Sequence, residues 1–119
     1  MLNVKRGEIY YVDFGSGHGS EIGKVRPCII VQNDIGNTYS PTTIVLPITH
    51  RRKNISQPTQ VVLDKHMIKG EGKVDGVILG EQVRTINKTR IKSSTGEILL
   101  ASAMEQVENA IKVAMGLSS

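Results

Sequence analysis

Short β-type segments run through most of this chain, with polar turns between them. They are rich in Val, Ile, Thr and Tyr and partly alternate in polarity, which is typical of strands. Their spacing, with no helical pattern between them, favours a small antiparallel barrel. The predicted strands are Glu8–Phe14, Arg26–Gln32, Thr42–Thr49, Thr59–Leu63 and Gly76–Leu79, and Gly80–Ile86 extends or follows the last of them.

Two of these segments carry further information. Arg26–Gln32 has a near-continuous apolar centre, which is typical of a strand that is buried on both faces. Thr42–Thr49 contains Pro47, whose missing N–H predicts an edge strand or a bulge at that point. Between the two segments, Asn33–Asn37 consists of turn-forming residues, so we expect a turn there.

The C-terminal segment changes to a helical period. Apolar residues recur there at intervals of three and four, which predicts an amphipathic helix. Ser102 and Glu105 have the spacing of a capping box at its start, and Gly116 is placed to end it. Leu99 and Leu100 fit either the helix or the turn before it. The recurring positions are Met104, Val107, Ile111 and Ala114.

Composition limits the classes of protein that fit. The 119 residues suit one domain, 1–119, with one modest core. The single cysteine, Cys28, excludes an internal disulfide and a cysteine metal cluster, and its apolar neighbours predict a buried thiol. The sequence has neither a signal-peptide pattern nor about 20 consecutive apolar residues, so we expect a soluble cytoplasmic protein without a membrane partner.

The distribution of charge favours a polyanionic partner. The net charge is +4, and each Lys or Arg set against a phosphate releases counterions. Residues 1–60 carry seven Lys and Arg against four Asp and Glu, so most of the excess lies in the first half. With only three Tyr and one Phe, binding that depends on stacking many bases is not expected.

Two junctions between loops and apolar strands hold the candidate chemistry. The glycine-broken loop 15–25 leads directly into the strand that begins at Arg26, and Lys24 stands beside it. Thr49 ends an apolar strand just before the basic stretch His50–Lys53. Cations and hydroxyls fixed at the end of a buried strand are suited to binding a phosphate.

Other chemistries are disfavoured. Gly15–Gly19 lacks the Gly-Lys-Ser/Thr ending of a P-loop, and no helical pattern follows it. The three histidines and one cysteine do not supply the three or four ligands of a zinc site. Asp13, Glu21 and Asp34 are unconvincing as a carboxylate cluster for a metal-dependent nuclease. We therefore expect no metal and no cofactor.

Six short motifs, spread over nearly the whole chain, occur in a recognisable order. They are Arg6–Tyr10, Gly19–Pro27, Val31–Asn37, Ser40–Thr42, Pro47–Thr49 and Leu79–Ile86. In this order they resemble the MazF/PemK family, the toxin ribonucleases of toxin–antitoxin pairs. The resemblance covers about residues 4 to 117. One departure is Gly80, where the family more often has a bulkier residue; glycine in a strand commonly marks a bulge or a close backbone approach.

The resemblance implies a mainly β fold: a small SH3-like antiparallel barrel of the CcdB/PemK type with a C-terminal helix, forming a homodimer. It implies metal-independent, sequence-specific cleavage of single-stranded RNA, chiefly mRNA, to a 2′,3′-cyclic phosphate and a 5′-hydroxyl. Translation and growth would be inhibited. The implied partner is a cognate MazE-like antitoxin, whose flexible acidic segment covers the RNA groove.

The resemblance also places the family's catalytic arginine at Arg26 and its catalytic threonine at Thr49. Arg26 is always charged near neutral pH, so stabilising the phosphorane is its safest role. Thr49 would hydrogen-bond a phosphate oxygen or hold the reacting 2′-hydroxyl, and we expect neither residue to belong to the core. The plainer alternatives are a surface Arg26 paired with Glu21 and an ordinary strand threonine. The candidate RNA-binding residues are Ser20, Glu21, Lys24, His50, Arg51, Arg52, Gln82 and Arg84.

Two other classes of function fit the same pattern. The first is a toxin of the same fold that inhibits a topoisomerase by protein contact, without RNA cleavage. The second is an RNA-binding barrel that has no catalytic activity.

Overall fold

The computed structural model describes residues 2–15, 24–50 and 57–117. Eight strands and two α-helices make up the described part of the chain. Short 3-10 turns occupy Lys65–Met67 and Lys88–Arg90. The strands are β1 (Glu8–Asp13), β2 (Val25–Ile30), β3 (Thr42–Thr49), β4 (Gln60–Val62), β5 (Ile68–Lys69), β6 (Val77–Leu79), β7 (Arg84–Asn87) and β8 (Ile91–Leu99), and the helices are α1 (Asp34–Tyr39) and α2 (Ala101–Ala114).

The strands form one curled antiparallel sheet, a half-barrel. Seven strands follow the order β4-β6-β3-β2-β1-β8-β5, and β7 pairs with β3 beside β6. The predicted mainly β fold with a C-terminal helix is confirmed. Gly80 and its neighbours form a turn, so the segment after β6 follows that strand as a separate strand, β7, rather than extending it.

Alternating side chains along β2 and β3 build a hydrophobic core on each face of the sheet. The helix-side core lies under α2 and includes Ile29, Leu46 and Ile48 together with Val107 of the helix. The second core lies on the other face and consists of Val4, Tyr10, Val12, Phe14, Cys28, Ile30, Val45 and Ile86. The prediction that the second strand is buried on both faces is confirmed, because Cys28, Ile29 and Ile30 are all fully buried.

Pro47 lies in the interior of the sheet, so of the two predicted alternatives, an edge strand or a bulge, the edge strand is wrong. On one side β3 pairs with β2, and Pro47 stands opposite Cys28. On the other side β3 pairs with β7 as far as Val45 and with β6 from Ile48 onward. Pro47 therefore falls where β3 changes partner, and a missing N–H is tolerated where the ladder is interrupted.

The segment predicted as a turn at Asn33–Asn37 is the start of helix α1. The Asn33 side chain accepts a hydrogen bond from the Gly36 N–H and caps the helix. Turn-forming residues are also the preferred helix caps, so composition alone does not separate a turn from a short helix. The buried Asn37 then ties α1 to the sheet, because its amide oxygen accepts from the Thr43 hydroxyl at 2.7 Å.

Strands β5 and β8 were not predicted from the sequence. Strand β8 has only three apolar residues among nine, and its pairing with β1 carries two register irregularities. An alternating pattern is therefore absent, and pairing with β1 and β5 defines the strand instead. Strand β5 has only two residues, which is too short for a periodic signal.

Helix α2 ends as predicted but starts differently. Leu100 is its N-cap and makes no side-chain cap hydrogen bond, so the predicted capping box at Ser102 and Glu105 is wrong. At the other end, Gly116 has φ +71°, and Leu117 N–H donates to Lys112 O at 2.8 Å in a Schellman motif. Neither described helix has the length and apolar character that a membrane crossing requires.

Candidate active site

Arg26 and Thr49 lie at the same end of two neighbouring strands. Strands β2 and β3 pair with Cys28 opposite Pro47 and Ile29 opposite Leu46. Continued by two residues, this register places Arg26 opposite Thr49. Side chains alternate along strands, so Arg26 shares the face of Cys28, and Thr49 shares the face of Val45. By this alternation both residues lie on the face of the second core, at the same end of the two strands.

The guanidinium of Arg26 has an unsatisfied donor. Arg26 pairs with Val12 of β1 through the backbone, and its side chain is half-buried. Its Nε is buried and has no hydrogen-bond partner among the residues that the structure describes. A buried polar group without a partner costs free energy, and in native structures such a group calls for an explanation. An anion that enters this end of the sheet would supply the missing acceptor.

Thr49 is the last residue of β3 and is buried, with 7% of its surface exposed. Thr49 belongs to neither hydrophobic core, but it is buried rather than exposed. Its backbone pairs with Val77 of β6. Within the described part of the chain, no hydrogen bond engages the Thr49 hydroxyl, so the group is available to a ligand. The next residue, His50, is exposed.

Arg84 approaches the same face from strand β7. It pairs with Val45, and its Cζ lies 4.6 Å from the centroid of the Phe14 ring, a cation–π contact. Burial raises the pKa of the Cys28 thiol, and the positive charge of Arg84 opposes that rise. Cys28 is thus the predicted buried thiol, and Arg84 lies close to the row of side chains that contains Arg26.

Gln82 precedes β7 in the turn that leaves β6. Its N–H donates to Leu79 O at 3.1 Å, and the residue is half-buried. Gly80, two residues earlier, lies against other backbone: a Cβ there would be 2.4 Å from Thr59 O and 3.1 Å from Ala110 Cβ. The close backbone approach expected at Gly80 is confirmed. This contact fixes the start of the turn that presents Gln82.

Lys24 closes the base of the loop before β2. Its N–H donates to Gly15 O at 2.5 Å, and its carbonyl accepts from Phe14 N–H at 3.0 Å. Lys24 has φ +65°, which is uncommon for a residue other than glycine. Its side chain is exposed, so the charge stands in solvent beside the strand that carries Arg26.

Several predicted site residues lie outside the described residues. They are Ser20, Glu21, Arg51 and Arg52, and the predicted pairing of Glu21 with Arg26 or Lys24 falls there too. Along the chain, segment 16–23 leads into β2 and segment 51–56 follows β3. Both segments therefore join the sheet at the end where Arg26 and Thr49 stand.

Among the described residues, His50 follows Thr49 and Asp13 lies opposite Val25 at this end, whereas the other described histidine lies elsewhere. His66 lies in the 3-10 turn after β4, with 95% of its side chain exposed and the Asp64 carboxylate 4.0 Å away. In the ranges 2–15, 24–50 and 57–117, no three His, Cys, Asp or Glu side chains form a group that could bind a metal ion. Near Arg26 the described residues offer cations and the Thr49 hydroxyl, with His50 exposed beside it.

Two residues near this site were missed in the sequence. Phe14 supports Arg84, and only its position two residues after Val12 on the same face of β1 could have indicated this. Gly76 lies against the backbone of Thr49, since a Cβ there would be 2.0 Å from Thr49 O. Gly76 falls at the start of the predicted strand Gly76–Leu79, where a glycine commonly marks a bulge or a close backbone approach, but the sequence does not show which backbone it approaches.

The half-barrel with a C-terminal helix and a cationic strand end defines a class of small toxins. The chain matches PemK-like, MazF-like toxins of type II toxin–antitoxin systems over residues 5–115. It is 43% identical over 114 residues to a protein named Endoribonuclease MazF from Staphylococcus saprophyticus, covering 96% of this chain and 92% of that protein.

Solved structures agree on the fold. MazF from Deinococcus radiodurans superimposes with a TM-score of 0.80 at 20% identity, covering 98% of this chain and all of that one (100%). A mycobacterial endoribonuclease solved in complex with its cognate antitoxin gives a TM-score of 0.77 at 22% identity, with 98% of both chains covered. This chain therefore belongs to the family of PemK-like, MazF-like toxins, and the predicted family is confirmed.

Proposed function

We propose that this protein is an endoribonuclease toxin that cleaves single-stranded RNA, chiefly mRNA, at specific sequences and without a metal ion. The products would be a 2′,3′-cyclic phosphate and a 5′-hydroxyl, and a cognate MazE-like antitoxin would neutralise the toxin. The observation that carries this proposal is the buried, unpartnered Nε of Arg26 on the same sheet face as Thr49. The 43% identical relative named as an endoribonuclease supports it.

Arg26 supplies the electrostatic part of the reaction. The 2′-hydroxyl of the substrate attacks the adjacent phosphorus, and negative charge builds on the phosphorane oxygens. A fixed guanidinium at that point stabilises the transition state more than the ground state. Pairing with Val12 of β1 holds the backbone of Arg26, so little reorganisation accompanies the reaction.

Thr49 contributes by holding a group of the substrate in place. Its hydroxyl donates to a phosphate oxygen or holds the 2′-hydroxyl in line for attack. A covalent role is not proposed, because no adjacent base activates the hydroxyl in the described part of the chain. The burial of Thr49 limits its side chain to few orientations, which favours a fixed hydrogen bond over a mobile one.

The surrounding residues would bind the RNA. Arg84 contributes charge from β7, and Gln82 has an amide that can read a base edge or bind a phosphate. Lys24 and His50 stand exposed at the ends of the two strands. On sequence position alone, the remaining proposed RNA-binding residues are Ser20, Glu21, Arg51 and Arg52.

The assembly follows from the family. We propose a homodimer that meets its antitoxin in the cytoplasm and arrests growth when free of it. The mycobacterial relative was solved with its cognate antitoxin, which supports a protein partner of this kind. We also propose that residues 1–119 form a single toxin domain.

The decisive experiment tests cleavage in EDTA. Purified protein should cut a single-stranded RNA in excess EDTA, and the fragments should carry a 2′,3′-cyclic phosphate and a 5′-hydroxyl. Arg26→Ala should lower the rate by about 100- to 1,000-fold, as loss of a transition-state donor does, with an unchanged melting temperature.

A control variant at position 26 separates the effect of the positive charge from the effect of the donor geometry of the guanidinium. Arg26→Lys keeps the charge but loses the planar fork of donors, so it should recover only part of the rate. Inhibition of a topoisomerase by a protein that leaves RNA intact would favour the same-fold alternative. RNA binding without any cleavage would favour the non-catalytic barrel, and a fully active Arg26→Ala protein would refute the site.

A further inference from the structure

The residue that precedes strand β6 touches the backbone of Thr49. Gly76 has φ +140°, and a Cβ built on it would lie 2.0 Å from Thr49 O and 3.2 Å from Ile48 Cγ2. Real Cβ atoms do not approach a carbonyl oxygen so closely, so only glycine fits without a shift in β3 or β6. Both the backbone conformation and the close approach require glycine here.

Gly76 is itself held firmly. Its carbonyl accepts from Leu63 N–H at 2.9 Å. The next residue, Val77, pairs with Thr49 on one side and with Val62 on the other. The backbone of Thr49 therefore rests against a segment fixed between two strands, and a displacement at Gly76 passes directly to Thr49.

A buried carboxylate anchors the loop that ends at Gly76. Glu97 of β8 is 3% exposed, and its Oε1 accepts from Lys73 N–H at 2.7 Å and from Val74 N–H at 3.2 Å. The backbone at Gly70 packs on the same side chain, where a Cβ would lie 2.9 Å from Glu97 Cγ. A buried carboxylate needs such donors, and their loss would release the loop.

We propose that Gly76 is a positioning residue for Thr49, and that Glu97 holds the loop 70–76 so that Gly76 keeps its place. Gly76 touches neither RNA nor the reacting atoms; it sets the backbone position from which the Thr49 hydroxyl projects. This inference rests on the proposed ribonuclease function, because the position of Thr49 matters only if its hydroxyl takes part in cleavage.

The main test is Gly76→Ala. The methyl group would push Thr49 away from its place at the end of β3, and a misplacement of about 1 Å can cost about 100-fold in rate. We expect kcat to fall by up to that factor but no further than in Thr49→Val, because the effect passes through the Thr49 hydroxyl, whereas KM stays near the wild-type value because the RNA-binding residues are untouched. Steady-state cleavage of a short fluorogenic RNA measures both constants.

The matched control is Gly116→Ala. Gly116 also has a positive φ, +71°, but nothing lies within 4 Å of a Cβ there. This substitution carries the conformational cost of alanine without a collision, far along the chain from Thr49. It should lower the melting temperature and leave kcat unchanged, so a loss of kcat at Gly76 would not be a general effect of strain.

A double-mutant cycle tests whether the effect passes through Thr49. Thr49→Val removes the hydroxyl and keeps the shape of the side chain. Adding Gly76→Ala to Thr49→Val should not lower the residual rate further, since residues that act as a unit are not additive. Glu97→Gln, which keeps the shape of the side chain but weakens the acceptor, should lower kcat in the same direction by a smaller factor.

The outcomes separate this inference from the function on which it rests. Wild-type protein that leaves RNA intact would refute the ribonuclease and this role with it. Active wild-type protein together with a Gly76→Ala variant of normal kcat would refute the positioning role alone, as would full additivity with Thr49→Val. If Gly76→Ala does not fold, Glu97→Gln decides: a normal kcat at a lowered melting temperature refutes the role.

Discussion

The two faces of the sheet are built from the same strands but end differently. On the helix-side face, Ile29, Leu46 and Ile48 are covered by α2, and the core is apolar. On the opposite face, the second core gives way to Arg26 and Thr49 at one end of β2 and β3, and Arg84 lies over the ring of Phe14. One face is completed by a helix, and the other ends in polar side chains.

This difference shows that in a small barrel the residues that stabilise the fold and the residues proposed to take part in the reaction can lie on opposite faces of the sheet. Because adjacent side chains point to opposite faces, one strand can contribute a core residue and a site residue side by side. In β2, Arg26 and Cys28 share one face, and Ile29 stands on the other. Substitutions on the helix-side face should therefore change the free energy of unfolding, and substitutions at the polar end of the other face should change the cleavage rate.

The largest expected effect on stability is on the helix-side face. Ile29→Ala removes a fully buried side chain from the middle of the sheet and should cost about 2–5 kcal/mol of unfolding free energy. Urea denaturation measures this loss. Cleavage by the fraction that remains folded should be normal, and a large fall in kcat at full stability would mean that the two faces are not separate.

On the other face, Thr49→Val should affect the reaction rather than the fold. Loss of a hydrogen bond to a charged phosphate should reduce kcat about 10- to 100-fold, and the apolar methyl fits a site that is already buried. Thr49→Ser keeps the hydroxyl and serves as the control. Equal activity of the Val and Ser variants would remove the hydroxyl from the mechanism.

A smaller effect is expected where the second core supports Arg84. Phe14→Leu keeps an apolar side chain but removes the ring, and cation–π contacts contribute about 0.5–1 kcal/mol at accessible sites. Affinity for a non-cleavable 2′-deoxy oligonucleotide should weaken about two- to fivefold. Tyr39→Leu, at an aromatic residue of α1 that is 83% exposed, is the matched control and should bind normally.

The smallest effect concerns pH and lies away from both faces. The Arg6 backbone N–H donates to the Asp34 carboxylate at 2.7 Å and lowers its pKa from 3.8, although burial opposes the shift. A carboxyl whose pKa is lowered in the folded state stabilises the fold at pH values above its unfolded-state pKa. This stabilisation is lost as the pH falls through the folded-state pKa. The melting temperature of Asp34→Asn should lie slightly below wild type near neutrality and approach it below pH 3.8.

The control for that titration is Asp75→Asn, at an exposed aspartate in the loop before β6. Its melting curve should follow that of the wild-type protein across the acid range. A parallel shift of both variants would show that general surface charge, rather than the hydrogen bond at Asp34, sets the acid response.

Local patterns in the sequence predicted most elements of the fold. Partly alternating or continuous apolar segments marked β1 to β4 and β6, the helical period marked α2, and Gly116 marked its end, because each signal depends on neighbours in the chain. The same reasoning missed β8, whose polar residues become a strand only by pairing with β1 and β5. It also misplaced Pro47, since a strand's position in the sheet depends on distant partners.

For the site, the sequence determined which residue types were available, and the motif order pointed to Arg26 and Thr49. Tertiary structure decided that the two stand at the same end of neighbouring strands, because the pairing of β2 with β3 is a non-local property. It also decided that Thr49 is buried and that Gly76 lies against its carbonyl. Close contacts between backbones distant in sequence leave no periodic pattern, so only the folded chain reveals them.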